Sequence, residues 1–124
     1  MEINDFVQQV EDYAIEKGWR KKGEPRDLAP MLMNICSEIG EAWEEIRERK
    51  PKLYGVYPDG TITEDIKEIK KYNLKPEGVI AELIDILIWT VDTVKEQEGN
   101  VEELLLLKHN YNKTRSYRHG NKKY

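Results

Sequence analysis

Cysteine is almost missing from this 124-residue chain: Cys36 stands alone, so no internal disulfide framework is available and a reducing, cytoplasmic setting is expected. No signal-like pattern opens the sequence, and its longest apolar run falls far short of a bilayer span, so no membrane association is expected. There is no internal repeat and no low-complexity tract. Positive charge is also short: the net charge of −4 argues against bulk nucleic-acid binding. Acid in turn is missing after Glu103, where Lys108, Lys113, Arg115, Arg118, Lys122 and Lys123 form a basic tail. What remains is a chain 35% charged and 39% hydrophobic, long enough for one core, so a single domain, 1–124, with long amphipathic helices is expected.

The stretch 79–94, VIAELIDILIWTVDTV, is the organising element. It is apolar on nearly every side, as a helix enclosed by other helices is, yet Glu82 and Asp85 interrupt it. Three residues apart on a helix they share one side, and no Lys or Arg between Lys75 and Lys95 neutralises them locally. Unpaired buried carboxylates need a raised pKa, a basic partner or a metal ion.

Around this element the spacing predicts further helices. Asn4 or Asp5 is placed to cap a first helix carrying Phe6, Val7, Val10, Tyr13 and Ala14, with Gly18 placed to end it. The link 19–26 reads as a solvated loop, with Trp19 as a lid on the core. Asp27 caps a second helix, 28–50, whose stripe Leu32, Cys36, Ile39, Trp43 and Ile46 faces a core and makes Cys36 an inert thiol. Glu38, Glu41 and Glu45 lie together on another face of it. Glu44, Glu45 and Glu48 read as solvated, whereas Glu38 and Glu41 repeat the three-residue spacing of Glu82 and Asp85. The segment 52–76 reads as an insertion: a short hairpin turning at Pro58-Asp59-Gly60, then a short helix opened by Thr61 with Glu64 and ending near Tyr72. Pro76 opens the central helix, Gly99 closes it, and a last helix starts near Val101.

Two such acid pairs facing each other in a bundle make a four-carboxylate, oxygen-only site, which suits Mg²⁺ with Mn²⁺ as a substitute. Di-iron bundles use Glu-x-x-His, and neither pair here contains His; one Cys and two His are a poor zinc set.

The run 37–45, SEIGEAWEE, followed by Glu82-Leu83-Ile84-Asp85, resembles the ExxE and ExxD motifs of the MazG-like all-α nucleoside triphosphate pyrophosphohydrolases. Pro25-Arg26-Asp27-Leu28, the run 108–115 and Tyr117-Arg118-His119-Gly120 resemble short phage and bacterial members, so the likeness covers about two thirds of the chain. Two features depart from it: Ser37 stands where the family often has an additional Glu, and 53–75 lengthens the connection between motifs. The resemblance implies an all-α, four-helix-type bundle that assembles as a homodimer or homotetramer. It implies hydrolysis of NTPs or dNTPs to the monophosphate and pyrophosphate, with Glu38, Glu41, Glu82 and Asp85 as Mg²⁺ ligands. Glu38 or Glu41 would orient or deprotonate the attacking water. Lys108, Asn112 and Arg115, at helical spacing on one face, would hold phosphate or sugar, with Arg26 and Arg118 in the other family-like stretches and Trp19 available to a base. The alternatives are a non-catalytic helical interaction module, with the acids paired to the basic tail, and a nucleotide-binding sensor without turnover.

Overall fold

The structure, a computed structural model, describes residues 1–123, with only the backbone of His119 and Asn121; Tyr124, at the end of the basic tail, lies outside them. The chain is mostly helical, with a small three-stranded sheet. Its elements are α1 (Ile3–Glu16), α2 (Leu28–Arg47), β1 (Tyr54–Val56), β2 (Ile62–Thr63), α3 (Ile66–Lys71), β3 (Pro76–Glu77), α4 (Val79–Glu98), α5 (Val101–Lys113) and a short α6 (Arg118–Asn121). Among the described residues no helix is long and apolar enough to cross a membrane. Two compact units emerge, one formed by 1–25 with 94–124 and the other by 26–93.

In the first unit α1 packs against α5, and Val7, Ala14 and Val101 are buried. Gly18, at φ +79°, closes α1 as its sequence position implied: its N–H reaches Ile15 and that of Trp19 reaches Ala14. Asn4 does not cap α1, whose N-cap is Glu2. Its side chain instead serves α5: the amide oxygen accepts the Glu102 N–H at 3.2 Å, while its NH₂ donates to Asn100. Asn100 accepts the Glu103 N–H in turn, so two side chains satisfy donors at one helix start. Arg20 overturns the solvated-loop reading of its segment. It is 7% exposed and grips Glu11 at 2.6 Å and Glu96 at 3.4 Å, an arrangement in which the charges justify each other's burial.

The second unit holds α2, the sheet, α3 and α4 up to Thr93. α2 starts after Asp27 and ends at Arg47; Arg49 turns left-handed at φ +56°, and the Lys50 N–H closes on Glu45. The hairpin forms over its expected span, β1 and β2 joined by a turn in which Gly60 sits at φ +89° and Asp59 accepts from Thr61. The short helix is capped by Asp65, which accepts from the Lys67 N–H, rather than by Thr61 with Glu64. Pro76 does not open α4. It lies in β3, which pairs antiparallel with β1, and Gly78 at φ +104° makes the corner from which α4 starts. A side chain at Gly78 would collide with the Lys52 carbonyl oxygen, and one at Gly55 would meet Ile69 at 2.9 Å, so both close approaches need glycine. Gly99, at φ +88°, ends α4 as expected.

Periodicity correctly groups the stripe of α2 on one face, but that face does not meet a core within the chain. Leu32, Cys36, Ile39, Trp43 and Ile46 are all exposed, Trp43 by 57%, and Met31 and Ala42 are the buried residues of that helix. On α4, Leu83, Ile84 and Leu87 are about half exposed, so this helix is not enclosed within one chain.

Candidate functional site

Glu38 projects from α2, and Glu82 and Asp85 from successive turns of α4, whose first turn is set by the Glu82 N–H bonding to Gly78. Each of the three offers a carboxylate oxygen within 4.8 Å of the others. The acids of two helices therefore meet, but the group holds three of the four acids that the matching three-residue spacings anticipate, with Glu41 outside it. Glu41 is exposed at the edge of this cluster, close enough for its charge to act on both Glu38 and Glu82.

The electrostatics are those of acids crowded together. Burial raises Glu38 from 4.5 to about 7, reinforced by its hydrogen bond with Glu82 and the charge of Glu41. Glu82 is raised as well, chiefly by burial and then by the charges of Glu41, Asp85 and Glu45; its hydrogen bond from Glu38 works the other way. Both carboxyls therefore hold a proton to higher pH than a solvated glutamate does. The second oxygen of Glu82 is wholly buried and has no hydrogen-bond partner among the described residues. A buried acceptor with nothing to accept from is costly. No Lys or Arg among the described residues is ion-paired with Glu38, Glu82 or Asp85. An all-oxygen donor set with an unsatisfied, buried oxygen fits a hard divalent cation better than it fits an organic base.

Glu45 was expected in solvent, and the structure corrects this. It is half-buried, it accepts from the Tyr54 hydroxyl at 3.2 Å, and its charge acts on Glu82. Tyr54, 4% exposed on β1, has its phenol pushed up to about 12 by burial and then by Glu45, with Glu77 adding to it, so the hydroxyl stays a donor. The i, i+3, i+7 sequence of Glu38, Glu41 and Glu45 already placed the three on one face. The tyrosine that holds the third could not be found from spacing alone.

The candidate substrate residues have other partners or settings. Arg26 is bound to Asp92 at 2.9 Å and lies 5.9 Å from the centre of the Trp89 ring, so it is not in a solvated loop. Trp19, 55% exposed, sets its ring edge-on to Tyr13 at 5.5 Å rather than lying in the core. Lys108 stands over the Tyr111 ring and Arg118 over Tyr117. Asn112 is exposed on α5, whereas Arg115 is beyond the end of that helix and so does not continue its face. Trp19, Lys108, Asn112, Arg115 and Arg118 belong to the unit of 1–25 with 94–124, and the acids to the unit of 26–93.

No protein-family model, no curated protein and no solved structure matches the chain.

Proposed function

We propose that the chain is a Mg²⁺-dependent nucleoside triphosphate pyrophosphohydrolase of MazG-like type, cleaving NTPs or dNTPs to a monophosphate and pyrophosphate. The observation that carries this reading is the buried, partnerless oxygen of Glu82 beside Glu38 and Asp85, acids from two helices gathered where no basic side chain pairs with them. Glu38, Glu82 and Asp85 would hold the cation, with Glu41 at its edge, and Mn²⁺ would substitute. A bound Mg²⁺ supplies neutralisation of the triphosphate and of the charge that develops on the bridging oxygen.

The chain's own residues supply the proton handling. Glu38, which sits among the acids of the site, is proposed to orient a water and take its proton as the water oxygen attacks the phosphorus. Glu41, more exposed, is the other candidate for this role. The family resemblance alone assigns Lys108, Asn112, Arg115 and Arg118 to phosphate or sugar and Trp19 to the base. Arg26, engaged with Asp92, would act from that fixed position.

The same reading includes association into a homodimer or homotetramer, a four-helix-type bundle being completed between copies. Its support is the apolar surface left open on two helices: Leu32, Ile39, Trp43 and Ile46 on α2, and Leu83 and Leu87 on α4.

The test is a nucleotide panel assayed for pyrophosphate release with and without Mg²⁺. Release that needs Mg²⁺ and is lost in Glu82→Gln, with the helical content unchanged, is the expected result. Mg²⁺-independent stability together with no release from any nucleotide would leave an interaction module, and nucleotide binding without release a sensor.

A further inference from the structure

We propose that the insertion carries a binding pocket of its own for a guanine nucleotide, walled by Tyr57, Tyr72 and Glu68. None of these residues belongs to the acid cluster, so the inference goes beyond the metal-site reading and does not rest on it.

Tyr57, Pro58, Glu68, Tyr72 and Leu74 line a cavity of about 550 Å³, within the usual size range of small-molecule sites. Its walls come from three places that the fold locks together. The Tyr57 N–H and carbonyl close the hairpin turn on Thr61 and Gly60, the Tyr57 hydroxyl donates to Glu68 of α3 at 2.9 Å, and the Leu74 N–H bonds to Ile69 at the end of α3. A wall already in place spares a ligand the cost of ordering it.

The two tyrosine rings stand 6.2 Å apart at 65°, so they form a corner and not a slot. A flat ring laid on one presents its edge to the other, and these are the two arrangements that aromatic pairs prefer. Tyr72 is 54% exposed, which leaves its ring open to such a guest.

Glu68 selects among flat rings. An ionised carboxylate accepts hydrogen bonds at both oxygens and donates none, and the Tyr57 hydroxyl occupies one of them. Guanine sets two N–H donors side by side on one edge. Adenine and cytosine place an acceptor beside their amino group and would turn a lone pair toward the carboxylate. The neighbouring charge selects what the ring carries. Lys71 lies 5.1 Å from the centre of the Tyr72 ring, and Lys67, four residues earlier on α3, is exposed on the same side of that helix. These ammonium groups suit a phosphate attached to a ring stacked on Tyr72. They disfavour the cationic guest that two tyrosines and a carboxylate would otherwise attract.

The experiment titrates the full chain by calorimetry with GMP, AMP, guanosine, choline, and folate, whose pterin has the same donor edge as guanine. It is run in chelator, where the acid cluster has no cation with which to hold a phosphate, and circular dichroism is recorded in parallel. GMP is expected to bind one per chain, roughly tenfold more tightly than AMP or guanosine. Tyr72→Ala, at an exposed position, should weaken GMP roughly tenfold. Glu68→Gln, which still accepts from Tyr57, should remove the preference over AMP. Lys71→Met should weaken GMP and leave guanosine unchanged, and Glu82→Gln should alter neither. If Glu68→Gln does not fold, Tyr72→Ala and Lys71→Met decide the matter. AMP, folate or choline binding more tightly than GMP overturns the inference, as does GMP binding that survives Tyr72→Ala or is lost in Glu82→Gln. No GMP binding in chelator overturns it too, and the pyrophosphohydrolase reading then still stands on its own assay. GMP binding that follows the expected pattern in a chain that releases no pyrophosphate supports the pocket and overturns only that reading.

Discussion

Removing divalent cations and raising the pH should weaken this protein, by an amount that Glu38 sets. Its carboxyl moves from 4.5 to about 7 on folding, because it is buried against Glu82 with Glu41 nearby. Between those values the folded chain holds a proton that the unfolded chain has already released. The stabilisation is therefore complete below about 4.5, declines as the pH rises, and is gone above about 7. At about 1.4 kcal/mol per pH unit, the window corresponds to roughly 3 kcal/mol. With a urea dependence of about 1–3 kcal/mol per molar for a domain of this size, the midpoint should fall by roughly 1–3 M from pH 4.5 to pH 8. The assay is urea denaturation followed by circular dichroism, in chelator, at fixed protein concentration. Glu38→Gln keeps the shape without the charge, so it should flatten most of this slope, and Mg²⁺ should restore wild-type stability at pH 8. A wild-type chain whose stability rises from pH 5 to 8, or whose slope is the same in Glu38→Gln, refutes the proton-holding account of the cluster.

Three further outcomes follow from the packing. Arg20→Met leaves Glu11 and Glu96 without their guanidinium; Glu11 is desolvated, but its bond to Arg20 holds its pKa below the usual value, so the loss should be about 3 kcal/mol at pH 7 and smaller at pH 3, read by thermal denaturation. Gly78→Ala should cost at least about 2 kcal/mol, because φ is +104° and the added methyl meets the Lys52 carbonyl; Mn²⁺ affinity should fall with it, since the start of α4 must move. Sedimentation should find a dimer or larger assembly, and Leu83→Lys with Trp43→Lys should convert it to monomer; a monomeric wild type at tens of micromolar refutes the shared-bundle proposal.

Much of the helical layout was legible because its signals are local. Gly18 and Gly99 end helices where only a left-handed residue fits, and the Pro58-Asp59-Gly60 turn sits between two runs of strand-forming residues. The acid cluster was legible in part for the same reason: a three-residue spacing repeated on two helices is visible without knowing how they pack. What escaped depends on partners far along the chain. Arg20 meets Glu96, Arg26 meets Asp92 and Asn4 serves the start of α5, and no periodicity links such positions. β3 is two residues long, too short for any alternation to register, so by sequence alone Pro76 looks like a helix opener. The stripe from Leu32 to Ile46 shows a subtler limit. Spacing says which side chains share a face, but not whether that face meets its own chain or another.

Cys36 is the sole sulfhydryl, and it stands in the open on α2, two positions before Glu38. A spin label attached there needs no background mutations. Relaxation of its signal by Mn²⁺ would gauge how near the ion comes, and the dipolar coupling between labels on two copies would yield the spacing of neighbouring α2 helices. The same handle thus puts both proposals, the bound cation and the second copy, to a distance measurement.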